Sequence, residues 1–389
     1  MGMLLNIVVA AVVTLATPTW PQDGYGPGYT GWNPSETTVG AATISKLKPA
    51  WSVTVAPTAA TCPVTQTAPV FADGKMFVLD RSTNGVAAFD AATGQELWRY
   101  HDEYLRAVRL AVSEGVVVVV DVPCQPDSAD HWITGLDAAT GTRQWRRHSM
   151  WRATTLVVDK GIAVIGGKCT ACISDIGYGT DGIRVSDGVV VWHRGFMIPT
   201  GNVSAGGRVI LRAAADDPFP GVPVPKWTAV DITNGGRVWH TGTAVSGTRA
   251  ADPAGRRFYL GDSKGMRVVD AATGKLLWRT GDGGVRSVAV DNGRVYASLD
   301  TEVRAYHPTT GKSLWSRKVT APKRLIRAKD LLYVQTGTTV AILNPATGAT
   351  VALSTPFRPM NDHVVVTGGR LYVTDGSQVR AYAPGPTAP

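Results

Sequence analysis

The chain has 389 residues, 44% hydrophobic and 18% charged, with a formal net charge of +9. That much apolar material excludes a disordered chain. The positive balance favours anionic partners, yet no Lys/Arg run carries the interleaved aromatics of a nucleic-acid binder.

The first segment, Met3 to Ala16, is largely apolar. It is short for a membrane span and suits the core of a signal peptide. Thr14-Leu-Ala16 offers small residues for cleavage, although no Lys or Arg precedes the core. Residues 1–16 are therefore expected to direct export and leave no transmembrane span in the mature chain. Residues 17–46 carry Trp20, Tyr25, Tyr29 and Trp32. They are too aromatic for a free linker and are expected to form a strap across the domain that follows, residues 47–384. Residues 385–389 read as a tail.

Within that domain one unit is copied. Trp51, Trp98, Trp145, Trp192, Trp239, Trp278 and Trp315 recur at steps near 40 residues, the period of a supersecondary repeat. Most follow one turn, as in Asp90-Ala-Ala-Thr-Gly94 before Trp98 and Asp270-Ala-Ala-Thr-Gly274 before Trp278. Asp can bond the backbone two residues on, and Gly takes the left-handed position that rejoins the ladder. Asn344-Pro-Ala-Thr-Gly348 keeps the turn but has Ala352 where the indole should be. Between turns, runs such as Ser287-Val-Ala-Val and Arg294-Val-Tyr-Ala alternate apolar and polar residues, as half-buried strands require. Asn292-Gly293 reads as a tight hairpin with positive φ at both residues.

Each copy is thus a four-stranded antiparallel sheet, strands a to d. A sheet with two apolar faces must pack on both sides, and radial packing does this with few open edges. Inner hairpins at Gly74, Gly115, Gly161, Gly207, Gly255, Gly293, Asp330 and Gly369 predict an all-β, eight-bladed propeller. The last blade lacks an outer strand, and the strand around Trp51 lacks a blade. The strand around Trp51 is expected to complete that blade and close the ring. Each indole is expected to pack across to the neighbouring blade.

The four cysteines, Cys62, Cys124, Cys169 and Cys172, fall in b–c loops or in a d-to-a crossing, which share one face of a propeller. A local Cys169–Cys172 loop with Cys62–Cys124 tying adjacent blades is the expected arrangement, but three connectivities remain open. A Cys₄ zinc site and a redox CxxC motif are the rivals.

Aligning the blades with one another places Arg109, Arg249, Arg324 and His363 at one position, the start of strand a at the rim of the central funnel. Ala68, Thr155, Gly201 and Ser287 occupy it elsewhere. Four converging basic groups would bind an anion, because guanidinium suits carboxylate or phosphate. Arg286 lies one residue early, and strand alternation should turn it away. A second basic run, Arg317-Lys318, Lys323-Arg324, Arg327 and Lys329, is expected on the same face, with Arg99, Arg146 and Arg147. His193 and His240 follow motif tryptophans and read as exposed strand residues. His101-Asp102-Glu103, Asn361-Asp362-His363 and Asp216-Asp217 are polar loop clusters. No catalytic or metal constellation emerges.

Ala88-Phe-Asp-Ala-Ala-Thr-Gly-Gln-Glu-Leu-Trp98 resembles the tryptophan-docking motif of the PQQ-repeat, or quinoprotein-like, propeller superfamily. The aromatic segment Trp20 to Glu36, followed by Leu47 to Trp51, is similar to its N-terminus. The resemblance implies an eight-bladed propeller that is either a quinoprotein dehydrogenase or a non-catalytic member, such as the lipoprotein of the outer-membrane β-barrel assembly machinery. It also implies, for the dehydrogenases, adjacent disulfide-bonded cysteines and calcium ligands on long insertions. This chain has no Cys-Cys pair, and its blades are short. The expectation is therefore an exported, monomeric, non-catalytic scaffold without cofactor, binding a protein or anionic cell-surface partner through its loop face. The alternative is a PQQ-dependent alcohol or sugar dehydrogenase holding PQQ and calcium in the arginine-rimmed funnel.

Overall fold

A computed structural model describes residues 17–55, 67–80, 84–101, 105–123, 131–169, 177–213, 227–242, 247–337, 339–353, 363–375 and 377–385. Among them, one 3-10 turn at Ile44–Lys46 is the sole helical element, and the rest of the regular structure is strand. The strands form eight antiparallel four-stranded blades of a propeller, and the two-residue strand Trp32–Asn33 adds in parallel to the inner edge of the seventh. In the first, Val70–Ala72, Lys75–Asp80, Gly85–Asp90 and Glu96–Tyr100 run in order from the axis outward.

The alternation buries both faces of each blade. In Val116–Val120 of the second blade, Val117 and Val119 pack with Phe77 and Trp98 of the first. Val116, Val118 and Val120 pack with Ile165 and Leu156 of the third. Period two along a strand thus becomes two separate seams.

The eighth blade is assembled from both ends of the chain. Val364–Thr367, Arg370–Asp375 and Gln378–Pro384 are joined by Leu47–Thr54 as the outer strand. Trp51 pairs with Ala381, and Thr54 with Gln378. The ring closes as the sequence predicts, and the last blade gains the outer strand it lacks in sequence.

One contact repeats around the ring. Each indole Nε1 donates to a carbonyl in the next blade: Trp51 to Ala92 (3.0 Å), Trp98 to Ala138 (3.2 Å), Trp145 to Val185 (2.8 Å) and Trp192 to Ile232 (2.7 Å). Trp239 to Ala271 (2.9 Å), Trp278 to Pro308 (3.0 Å) and Trp315 to Pro345 (3.0 Å) continue the series. Each ring also lies on the glycine that ends the neighbouring turn, from Gly94 under Trp51 to Gly348 under Trp315. An indole buries roughly 200 Å², worth at most about 5 kcal/mol at the usual coefficient. The turn beneath is held by its own aspartate. Asp137 Oδ1 accepts from the backbone N–H groups of Ala139 (2.9 Å) and Thr140 (2.8 Å). Those bonds, Thr140's first, hold the Asp137 carboxyl below its ordinary value.

The seventh seam explains the missing indole. Ala352 stands where the next tryptophan would dock on the eighth blade. That blade has no c–d turn, because its outer strand comes from the start of the chain. An indole there would not find the Asp-x-x-Thr-Gly or related turn on which the others dock.

Inner hairpins follow their sequences with one correction. Asp73-Gly74, Glu114-Gly115 and Lys160-Gly161 all take positive φ at both residues. Asn292-Gly293 takes it at neither. Asp291 closes this turn instead, its Oδ1 accepting from Gly293 N (2.8 Å) and Arg294 N (2.7 Å). A side-chain bond has replaced the left-handed turn that the dipeptide signals.

The leading segment circles the inner wall and meets every blade in ring order. Trp20 exchanges backbone bonds with Phe71 (2.9 and 2.8 Å) in the first, and Pro21 O accepts from Val112 N (2.7 Å) in the second. The Gln22 amide makes two bonds to the Val158 backbone (2.8 and 3.0 Å) in the third. The carbonyls of Pro27, Gly28, Thr30 and Gly31 accept from Ser204, Ala251, Val290 and Arg327 (2.7, 2.7, 2.8 and 2.7 Å) in blades four to seven. Asn33 Nδ2 donates to Val366 O (2.9 Å) in the eighth. These partners lie toward the hairpin ends of the innermost strands, so the segment plugs that end of the channel.

Gly74 and Gly141 share a φ of +74°, but an added Cβ at Gly74 meets nothing, whereas at Gly141 it comes within 2.6 Å of Trp98. Gly74→Ala is expected to cost about 1–2 kcal/mol from backbone strain alone. Gly141→Ala should cost about 1–3 kcal/mol more through the displaced indole. Urea unfolding of the two variants side by side checks the difference.

Candidate functional site

At the opposite end the channel opens as a funnel. Two of the four rim residues line one cavity at this end. A cavity of 340 Å³ is lined by Arg249 and Arg324, joined by Lys323, Arg286 and Tyr29, with Thr200, Asn202, Thr248 and Ser287 supplying neutral polar groups. Arg109 and His363 are outside that lining. Arg109 instead donates to the Thr154 carbonyl at 3.4 Å from Nε and Nη2.

Arg286 needs the opposite correction. The inner strand of its blade begins only at Ser287, so Arg286 precedes the strand and alternation does not fix its side chain. It reaches the cavity while pairing with Asp300 at 2.8 Å, both groups largely exposed.

Arg324 is already engaged. The strap carries Asp23 up into the funnel, where Oδ1 pairs with Arg324 Nη2 and Oδ2 accepts from Tyr29 Oη at 2.9 Å. Arg324 Nη1 lies 2.8 Å from His363 Nδ1. A guanidinium only donates, so Nδ1 is the acceptor and any proton on a neutral ring sits on Nε2. Burial would raise the Asp23 carboxyl, but the Arg324 guanidinium outweighs it and the group is held at about 2. Burial, with Asp23 adding to it, pushes the Tyr29 phenol up. The protein's own carboxylate thus takes part of the anion site that the sequence predicts. Arg249 differs: its Nε is buried and has no hydrogen-bond partner among the described residues. Desolvation lowers its guanidinium from the ordinary value.

This arrangement can hold a small polar anion. The lining of this cavity contains no tryptophan to floor a flat ring and no carboxylate to ligate a metal. Among the described residues no group of three His, Cys, Asp or Glu side chains is placed to hold a metal ion.

The second basic run is split. Strand Arg324–Ala328 carries the chain from the funnel rim to the plugged end. Arg327 therefore pairs with Asp291 (3.0 Å), and Lys329 Nζ reaches the strap carbonyl of Thr38 (3.4 Å). Arg317, Lys318 and Lys323 stay exposed. His193 is more than an exposed strand residue: it stacks on Trp151 at 5.5 Å and pairs with Asp181 at 2.8 Å. Cys169 ends strand Ile162–Cys169 and is buried. Cys62, Cys124 and Cys172 lie outside the described residues, as do Asp102, Glu103, Asp216, Asp217, Asn361 and Asp362.

An eight-bladed ring with an indole docked on each neighbouring turn is the architecture of the PQQ-repeat propellers. The model of the family described as outer membrane protein assembly factor BamB matches residues 36–216 and 227–383, and the chain belongs to that family. No curated protein sequence matches it. Among solved structures, BamB from Moraxella catarrhalis is similar at 17% identity and a TM-score of 0.59, over 88% of this chain and 99% of that one. A quinohemoprotein alcohol dehydrogenase from Comamonas testosteroni is similar at 15% identity and a TM-score of 0.67, over 97% of this chain and 82% of that one. The computationally designed Ika8 protein is similar at 16% identity and a TM-score of 0.60, over 82% of this chain and 96% of that one. At these identities the likeness is one of fold.

The Asp23 carboxyl is lowered on folding, so its stabilisation is present above the unfolded value near 4 and disappears as pH falls toward 2. Asp23→Asn is expected to cost roughly 2 kcal/mol at neutral pH. Denaturant titrations of both proteins should show this difference shrinking between about pH 4 and pH 2. A difference independent of pH in that window contradicts the assignment.

Proposed function

We propose that this is an extracytoplasmic, non-catalytic propeller that binds a protein or anionic surface partner through its loop face. The observation that carries the reading is the strap. It spends the leading segment on plugging one end of the channel and places Asp23 against Arg324 in the other. A funnel furnished in this way serves a scaffold better than it serves a flat cofactor. Membership of the BamB family supports a protein partner outside the cytoplasm. Among the described residues no helix is long and apolar enough to cross a membrane. The exposed Arg317, Lys318 and Lys323, with Arg147, give the loop face its positive charge.

The quinoprotein reading keeps one observation in its favour, the cationic funnel cavity with its unpartnered Arg249 Nε. Supplying PQQ with calcium and following dye-linked oxidation of alcohols and sugars separates the two. The scaffold predicts no turnover above the dye blank, and saturable turnover lost in Arg249→Ala would establish the enzyme. In parallel, Lys318→Glu with Lys323→Glu is expected to reduce capture of an extracytoplasmic partner several-fold while leaving the melting temperature unchanged. Unaltered capture would remove the loop face from the account.

A further inference from the structure

The seam between the fourth and fifth blades holds a second cavity, far from the funnel in the fold. It has a volume of 260 Å³ and apolar walls from Trp227, Trp239, Leu260, Val269 and Leu276. An apolar cavity of about 150 Å³ holds benzene, so this one accommodates a fused pair of rings. Its mouth is accessible, since Leu276 is 48% exposed.

Arg267 and Arg279 also line the slot, and the same two residues line an adjoining cavity of 310 Å³ with Lys264, Gly265, Thr280 and Gly281. The two arginines are direct cross-strand neighbours. Like charges in that relation repel. In two other blades a cation following a motif tryptophan meets a carboxylate: Arg99 pairs with Asp80 at 2.6 Å and His193 with Asp181 at 2.8 Å. Among the described residues neither Arg267 nor Arg279 has an ion pair, and neither cavity is lined by an acidic group. Among the described residues, an apolar slot therefore ends in two guanidinium groups that have no ion pair.

We infer that this seam is a binding site for an aromatic carboxylate, its rings between Trp227, Trp239 and the aliphatic wall and its carboxylate on Arg267 and Arg279. The fork of a guanidinium matches the two oxygens of a carboxylate. The ring system supplies the apolar area that a simple anion lacks. Such a ligand would relieve the repulsion between the arginines and bridge two blades at once. The site goes beyond the loop-face role proposed above and does not depend on it.

Calorimetric titration of the full-length protein with naphthalene carboxylate tests the inference. Saturable binding is expected, with naphthalene methanol and acetate each roughly tenfold weaker or worse, because one lacks the charge and the other the rings. Arg267→Gln with Arg279→Gln should weaken the carboxylate by a similar factor. Leu276→Glu, an exposed change that sets a negative charge at the mouth, should do the same, with circular dichroism verifying the fold of both variants. Should either variant unfold, the three probes on the natural sequence decide alone. Absence of binding, equal binding of the alcohol or of acetate, or undiminished affinity in the folded arginine variant overturns the assignment.

Discussion

The architecture depends on an indole lying on a glycine. A planar side chain can rest flush on the neighbouring backbone only where no Cβ intervenes, and the seven docked tryptophans all meet a glycine of left-handed φ. The Nε1 bond to a carbonyl of the same turn fixes the angle at which one blade meets the next. Blade rotation, seam packing and ring size follow from repeating that angle. The exception obeys the same constraint, since Ala352 faces a blade with no turn to dock on. Closure then rests on backbone pairing of Leu47–Thr54 with Gln378–Pro384, reinforced by Trp51 reaching the first blade.

The leading segment adds a second level of connection. It is hydrogen-bonded to every blade near the axis, where each blade offers inner-strand amides that have no further strand to pair with. The same segment delivers Asp23 and Tyr29 to the funnel. A structural solution at one end of the channel thereby sets the electrostatics of the other. Arg324 and His363 become parts of an internal network, and the remaining cationic character shifts to Arg249, Arg286 and Lys323. A fold shared with alcohol dehydrogenases does not by itself carry their chemistry across, since function lives in the site.

Much of the fold was legible because its determinant is local and copied. Asp137, Gly141 and Trp145 lie within a few residues of one another, so the docking unit can be read in one line and counted along the chain. Closure was legible from two incomplete units that complement each other. The funnel was not, since Asp23 and Arg324 are 301 residues apart and no repeat links them. Alternation does not reach Arg286, which precedes its strand. The Asn292-Gly293 signal yields to Asp291, one place earlier, which supplies a competing bond. The seam cavity gave no sign at all, as its arginines are ordinary strand residues until their cross-strand pairing is known.

The joining of the chain's two ends is the point at which a closed ring is most directly tested. Ser52 and Arg380 are register partners in the eighth blade, and facing strand residues lie within the span a disulfide bridges. The purified double variant Ser52→Cys with Arg380→Cys is predicted to form a disulfide between the two introduced thiols under oxidising conditions. Mass spectrometry should then recover the outer-strand and C-terminal peptides as one linked species, and the melting temperature should rise. A folded double variant that never forms this link would contradict a ring closed by its own leading strand.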